Sequence, residues 1–271
     1  MPELPEVETV KNGLINKVLN KKITACKVLY QGIIAYPDKE KFIKEITNQT
    51  INDISRRGKF LIFELDDYYL VSHLRMEGKY FIKNQKETIS KHDHIIFTLD
   101  DKEELRYNDT RKFGRMHLVK KNELNITPIA KLGLEPWDEN LNVKYLKEKL
   151  HKSKAIKTLL LDQTIITGIG NIYADEILFL SKINPITKGC NLTNKNLQDI
   201  IDNTKKILEK AITAGGTTIH TYTSVDGIHG RFQQELLVHN KKGEQCPICQ
   251  TPISKIVVNG RGTYYCPKCQ K

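Results

Sequence analysis

An α+β chain of several domains is the fold class this sequence predicts: an N-terminal helix with a β-sandwich, then a helical domain, then a small cysteine-bearing finger. Three observations predict it. Apolar residues recur at helical spacing over 7–18 and again beyond residue 142. Between about 22 and 120 they fall instead in short β-branched and aromatic runs bounded by turns. Four of the six cysteines lie in the last 26 residues, as two Cys-x-x-Cys pairs. A length of 271 residues suits one large domain or two to three smaller ones. The boundaries drawn are 1–130, 131–233 and 234–271.

In the first helix Val7, Val10, Leu14, Ile15 and Val18 share one face. Pro5 suits the start of a helix, and Glu6 and Glu8 suit its first turn, where the helix dipole favours negative charge. The strand candidates are the runs ITACKVLY, KFLIFEL, YYLVSHL, KYFI, HIIFTL and GRMHLVK. Tyr36-Pro37-Asp38, Asp66-Asp67 and Asp100-Asp101 read as turns between them. Residues 121–142, with Pro128, Gly133 and Pro136, read as a linker. Helices are predicted over 143–151, 155–162, 171–181 and 194–214. The turn Thr167-Gly168-Ile169-Gly170-Asn171 precedes the third of these. Residues 215–231 are rich in Gly, Thr and Ser and lack periodicity, as functional loops often do.

With 39% hydrophobic and 28% charged residues the chain can build a core. It has no run of the ~20 apolar residues that spans a bilayer. Its first twenty residues carry scattered charge and lack the apolar stretch of a secretory signal. A cytoplasmic protein without membrane contact is expected. The net charge is +11, with 27 Lys/Arg against 23 Asp/Glu over 1–149 and 16 against 9 over 150–271. A basic excess attracts polyanions, and phosphate neutralisation makes such binding salt-dependent. A solvated basic surface gives the same count.

Cys246-Pro-Ile-Cys249, sixteen residues, then Cys266-Pro-Lys-Cys269 is a zinc-ribbon spacing. Four thiolates close a tetrahedral site and leave no position for a reactive water, so one structural zinc is expected. Two disulfides or a redox pair are the alternatives. Some 38 residues bury too little core to stand alone, and the metal would supply the stability instead. The segment 256–265 between the knuckles reads as a β-hairpin. Arg261 sits between two glycines at its tip, placed to reach a phosphate. Cys26 and Cys190 read as ordinary buried thiols.

Pro2 follows Met1. Removal of the methionine would leave a secondary amine with a reference pKa near ~7.7–8.0, well below the ~10.4 of lysine. Such an amine, attacking a sugar C1′, gives an iminium ion that acidifies the C2′ proton and permits elimination. Glu3 is placed to assist at the sugar ring oxygen. Taken alone, PELPE is also simply a good helix start.

In order along the chain, MPELPEVET, RRGKFL, HLRMEG, KHDH, NDTRKFG, TGIGNIYADEILF, SVDGIHGRFQ and CPIC…CPKCQK resemble the formamidopyrimidine-DNA glycosylase family, bacterial repair enzymes for oxidised purines. The resemblance covers essentially the whole chain. It implies a helix–two-turn–helix domain for 131–233 and a zinc-ribbon-like finger for 234–271. It implies a glycosylase and abasic-site lyase that acts as a monomer on double-stranded DNA containing 8-oxoguanine or formamidopyrimidines. It implies that Pro2 forms the Schiff base beside Glu3. Lys59 would contact the phosphate next to the lesion and donate a proton in β-elimination, and Arg261 would assist δ-elimination. Met76, Arg111 and Phe113 match the set that fills the gap left by an everted base, with Arg111 on the orphaned partner. Core packing is the alternative for Met76 and Phe113. His92, Lys152 and Asn171 match DNA contacts, the last at a helix start where backbone amides can hold a phosphate. Ser224, in the loop that closes over the base, and Glu77 match lesion recognition. The rival within this fold is endonuclease VIII, which prefers oxidised pyrimidines; PELPEVET, in place of a PEGPE-type start, argues against it. A silent DNA-binding protein with a zinc ribbon, or a zinc-ribbon transcription factor, would explain fewer of these motifs.

Overall fold

The computed structural model describes residues 1–217 and 230–271. It divides into two compact units. The first comprises Met1–Ala130 with the described residues of 215–230; the second comprises Lys131–Ala214 and Arg231–Lys271.

The first unit opens on helix α1 (Leu4–Val18). Its N-cap, Glu3, is extended, Pro5 lies in the first turn and Lys17 in the last. Leu4, Val7, Val10, Leu14 and Val18 are buried, the face expected from their spacing. There follow β1 (Ile23–Val28), β2 (Ile34–Tyr36), α2 (Lys39–Ile46), β3 (Asp53–Arg57), β4 (Phe60–Glu64), β5 (Tyr68–His73), β6 (Lys79–Asn84), β7 (Asp93–Leu99), β8 (Glu103–Asn108) and β9 (Arg115–Lys120). They form two sheets, β1-β7-β8-β6 and β2-β9-β5-β4-β3. Every pairing is antiparallel except β2 with β9. One core joins the sheets through residues such as Phe42, Leu61, Phe63, Tyr80, Phe97, Tyr107 and Met116, and α1 adds its buried face to it.

Helix α2 was not among the predicted elements. Asp38, read as a turn residue, is its N-cap, with the carboxylate accepting from the Lys41 amide at 2.9 Å. Strand β8 also went unpredicted, because Glu-Glu-Leu-Arg-Tyr-Asn shows little apolar alternation. Its arginine is buried. Arg106 Nε donates to Glu104 (2.7 Å), Nη1 to the Thr88 carbonyl (3.0 Å), and Nη2 to the carbonyls of Glu87 (2.8 Å) and Asn84 (3.3 Å). Asp93 lies 3.5 Å from Nη1. One guanidinium thus closes the 84–90 loop that leads to His92.

In place of a featureless linker, Lys121–Ile126 and Pro128–Lys131 form 3₁₀ turns. In the second unit α3 (Val143–Leu150) is capped by Asn142, whose side chain accepts from Tyr145 N at 3.0 Å. Then come α4 (Ile156–Leu160), α5 (Asn171–Leu180) and α6 (Asn194–Thr213), the last capped by Thr193. Helix α6 packs on α3 and α5, and α5 packs on the hairpin of β10 (Ser254–Val258) and β11 (Arg261–Tyr265). Asn259 (φ 46°) and Gly260 (φ 73°) make the two-residue hairpin turn, which requires positive φ at both positions. Arg261 is therefore the first residue of β11, paired with Val258, and not the tip itself. No helix among the described residues is long and apolar enough to cross a membrane.

Removing Arg106 would take the side-chain donor from the Thr88 and Glu87 carbonyls and leave Asp93, which keeps Ser90 N and Asn108 Nδ2, without its counter-charge. Arg106→Leu is expected to cost about 3–5 kcal/mol of stability, measured by urea unfolding. A loss below about 1 kcal/mol would show that the loop closes without it.

Candidate nucleic-acid interface and catalytic residues

At the head of α1, Met1 is exposed while Pro2 and Glu3 are buried. Glu6 holds this end in place. One carboxylate oxygen accepts from the Glu3 amide at 2.8 Å. The other accepts from the Thr217 amide at 2.7 Å and its hydroxyl at 3.0 Å. The same side chain therefore anchors the start of the chain and the first residues of the 215–231 loop. Ser224 lies outside the described residues.

Lys59 is buried just after the β3–β4 turn. Gly58 has a φ of 58° there, which glycine adopts without strain. Arg56 fixes the turn, with Nε 2.7 Å from Glu8 on α1 and Nη1 3.0 Å from the Gly58 carbonyl. The neighbour that sequence reading missed is His73. Its Nδ1 accepts from the Arg75 amide at 2.9 Å, and its ring meets Phe60 edge-on at 4.5 Å. Burial, and then the positive charges of Arg75 and Lys59, push its pKa down to about 3. His73 is therefore neutral at pH 7, with the proton on Nε2.

Two loops of the same unit bring Met76, Glu77, Arg111 and Phe113 together. Phe113 is 48% exposed and Met76 37%, which removes core packing as their reason. The Arg111 guanidinium lies 4.8 Å from the Phe113 ring centroid, a cation–π arrangement. Glu77 accepts a hydrogen bond from the Thr110 hydroxyl, joining the loops. His92 is half-buried, and its carbonyl accepts from the Asp109 amide at 3.0 Å.

In the second unit Arg261 and Lys152 are exposed, Lys152 just beyond α3. Asn171 Nδ2 donates to the Gly262 carbonyl at 3.0 Å, so this side chain braces the strand that carries Arg261. Gln163 shapes the turn before α5, donating to the carbonyls of Leu161 and Ile169 and accepting from Gly168 N. Beneath lies a buried network that sequence reading also missed. The Lys157 ammonium pairs with Asp175 at 2.7 Å and donates to the Thr263 hydroxyl (2.8 Å) and the Gly262 carbonyl (3.1 Å). The other Asp175 oxygen lies 2.7 Å from His239 Nδ1 and 3.2 Å from Tyr264 N. Glu176 accepts from the amides of Leu237, Val238 and His239, and burial pushes its pKa up against their pull. Two adjacent acids inside the apolar helix NIYADEILF were the available signal.

The sulfurs of Cys246, Cys249, Cys266 and Cys269 all lie within 4.8 Å of one another. Cys246 and Cys269 are 3.9 Å apart, and Cys249 and Cys266 are 3.4 Å apart. Tetrahedral bonds of ~2.3 Å place sulfurs about 3.8 Å apart, whereas a disulfide needs about 2.05 Å. The four thiols fit one structural zinc and are not disulfide-bonded.

Residues 1–116 match the family model of the formamidopyrimidine-DNA glycosylase N-terminal domain. Residues 132–223 match that of the formamidopyrimidine-DNA glycosylase H2TH domain, and residues 243–271 that of the zinc finger found in FPG and IleRS. The formamidopyrimidine-DNA glycosylase of Ligilactobacillus salivarius is 50% identical over 273 aligned positions, covering 100% of this chain and 99% of the relative. A Lactococcus lactis FPG mutant in complex with Fapy-dG-containing DNA superposes with a TM-score of 0.93 at 42% identity, over 100% of both chains. MutM in complex with DNA containing carbocyclic 8-oxo-G gives 0.93 at 41%, again over 100% of both chains.

Two measurements check this geometry. Metal analysis should find about one zinc per chain, and chelation or Cys249→Ser should unfold the hairpin segment; folded protein without metal would contradict the closed site. For His73, the unfolded chain binds a proton near pH 6.5 and the folded chain only near 3. Stability is therefore indifferent to this group above 6.5 and falls as pH drops through that window, by up to about 1.4 kcal/mol per unit. His73→Gln should flatten the slope relative to wild type in urea unfolding; equal slopes would place His73 in a wetter site.

Proposed function

Because the chain belongs to the formamidopyrimidine-DNA glycosylase family, whose members are base-excision repair glycosylases with abasic-site lyase activity, we propose that it excises 8-oxoguanine and formamidopyrimidines from double-stranded DNA and nicks the strand through Pro2. The observation that carries this reading is the head of α1. Pro2 and Glu3 are buried and tethered by Glu6, in a chain whose whole length matches the family. The division of labour is drawn at 1–130 for catalysis, 131–233 for DNA binding and 234–271 for the finger. The protein acts as a cytoplasmic monomer.

Loss of Met1 frees the Pro2 amine. Its lone pair forms a bond to C1′ as the bond from C1′ to the base breaks, the base leaving with a proton; the amine gives up its own proton, Glu3 protonates the ring oxygen, and the C1′–O4′ bond opens. The resulting iminium draws electrons from C2′, whose proton leaves as the 3′ C–O bond breaks. A second elimination expels the 5′ phosphate. Lys59 holds the phosphate beside the lesion and supplies a proton, and Arg261 assists the second elimination. Lys152, Asn171 and His92 bind backbone, which positions without reading sequence. Met76, Arg111 and Phe113 fill the gap. Glu77 and Ser224 contact the everted base.

Borohydride trapping on an 8-oxoguanine:C duplex tests the nucleophile. Pro2→Gly should bind the lesion yet lose most trapped adduct and nicking; wild-type levels of both would sink the assignment. Glu3→Gln should slow base release by about a hundredfold, the scale of one lost acid–base group, and slow cleavage of a preformed abasic site far less. Equal losses on the two substrates would contradict the role given to Glu3.

A further inference from the structure

Asp109 hydrogen-bonds the backbone of the loop that carries two of the exposed wedge side chains. It is fully buried at the end of β8. Oδ1 accepts from Arg111 N at 2.9 Å and Oδ2 from Gly114 N at 2.8 Å, so one carboxylate spans both ends of the loop. Its carbonyl takes His94 Nε2 at 2.7 Å and Lys112 N at 3.3 Å, and its amide gives to the His92 carbonyl. Between these anchors Lys112 is held at a φ of 59°, a conformation that a lysine visits only under constraint.

Tyr107 extends this control to the second loop. A methyl group added at either Gly78 or Gly114 would fall on its hydroxyl. Gly78 follows Met76 and Glu77, and Gly114 follows Phe113. Both backbones therefore rest on the same buried phenol, while Glu77 and Thr110 tie the loops at the surface.

We propose that Asp109 is a positioning residue for damage discrimination: with Tyr107 it locks the loop of Met76 to the loop of Arg111 and Phe113, so that the wedge meets DNA as one preset block. This rests on the reading of Met76, Arg111 and Phe113 as the gap-filling set. A wedge already ordered loses less freedom on insertion, and that saving falls on the state with an everted base.

The test is binding to 8-oxoguanine:C and undamaged duplexes across a salt series, for Asp109→Asn, Phe113→Ala and the double variant. Asn keeps the shape of Asp but turns an NH₂ towards one of the two loop amides. Asp109→Asn should lower the preference for damaged DNA about tenfold, the scale of one or two lost buried hydrogen bonds, and leave the salt slope unchanged. In the Phe113→Ala background it should add little, because both changes disable the same block. If Phe113→Ala alone leaves the preference intact, the gap-filling reading fails and the proposal falls with it. If Phe113→Ala lowers the preference but Asp109→Asn does not, or their losses multiply, the gap-filling reading survives and the role of Asp109 is overturned. Should Asp109→Asn fail to fold, Tyr107→Phe carries the same cycle: it keeps the ring and removes the hydroxyl beneath both glycines. Its loss of preference should be severalfold and should vanish in the Phe113→Ala background; multiplying losses there would refute the shared block.

Discussion

A buried amide without an acceptor costs about 1–3 kcal/mol, and the loops that carry this chain's exposed arginines and aromatics have no ladder to supply acceptors. Buried carboxylates do it. Glu6 takes the amides of Glu3 and Thr217, and Asp109 those of Arg111 and Gly114. Asp175 takes that of Tyr264, and Glu176 those of Leu237, Val238 and His239. Asp175 reaches a strand, β11; in the other cases an acid on regular structure, or one residue beyond its end, fixes irregular backbone. A helix or strand is thereby made to specify a loop.

Such carboxylates are expensive to bury, and the chain offsets each charge with donors. Asp175 is the extreme case, with an ammonium, an imidazole and an amide around it. Lys157 in turn also reaches Gly262 and Thr263 on β11. Asn171 adds a second donor to the Gly262 carbonyl. The strand bearing Arg261 is thus fixed to α4 and α5 by groups that water does not reach. The four clustered cysteines fix the same hairpin from its other side, since Cys266 follows β11 directly. Zinc supplies closure, and the buried ion pair supplies orientation, which is the use for which such pairs are best attested.

How much of this was legible beforehand follows from which interactions are local. Helical spacing over 7–18 and the four later helices were read correctly because periodicity is a property of the segment itself. The Cys-x-x-Cys pairs were legible because metal ligation demands a fixed spacing. Helix α2 was hidden, since its eight residues stand among strands and its apolar face is only Phe42, Ile43 and Ile46. Strand β8 was hidden because its arginine faces the loop carbonyls inward, a use of a charged residue that alternation rules do not anticipate. The same holds for His73, Asp109, Lys157 and Asp175. Lys157 and Asp175 have partners distant in sequence, as with the 106 positions between Lys157 and Thr263, whereas Asp109 and His73 bond nearby amides of irregular backbone, which no periodicity reveals. Asn171 was read as a phosphate ligand from its place at a helix start, and the structure gives its amide a protein partner as well.

The proposed reading also explains why Lys152 and the wedge are built differently. Phosphate contacts tolerate freedom, because an ammonium or guanidinium attracts a polyanion over a Debye length whatever its rotamer. Lys152 accordingly stands exposed just past a helix end. A wedge gains nothing at a distance. Its worth lies in occupying one gap at contact range, where a misplaced ring clashes or leaves a void. Phe113 therefore has a guanidinium against its face, a carboxylate pinning both ends of its loop and a phenol beneath its neighbour glycine. Lys59, buried, and Arg261, on a braced strand, are held as the wedge is, in keeping with the reaction steps proposed for them, which also act only at contact.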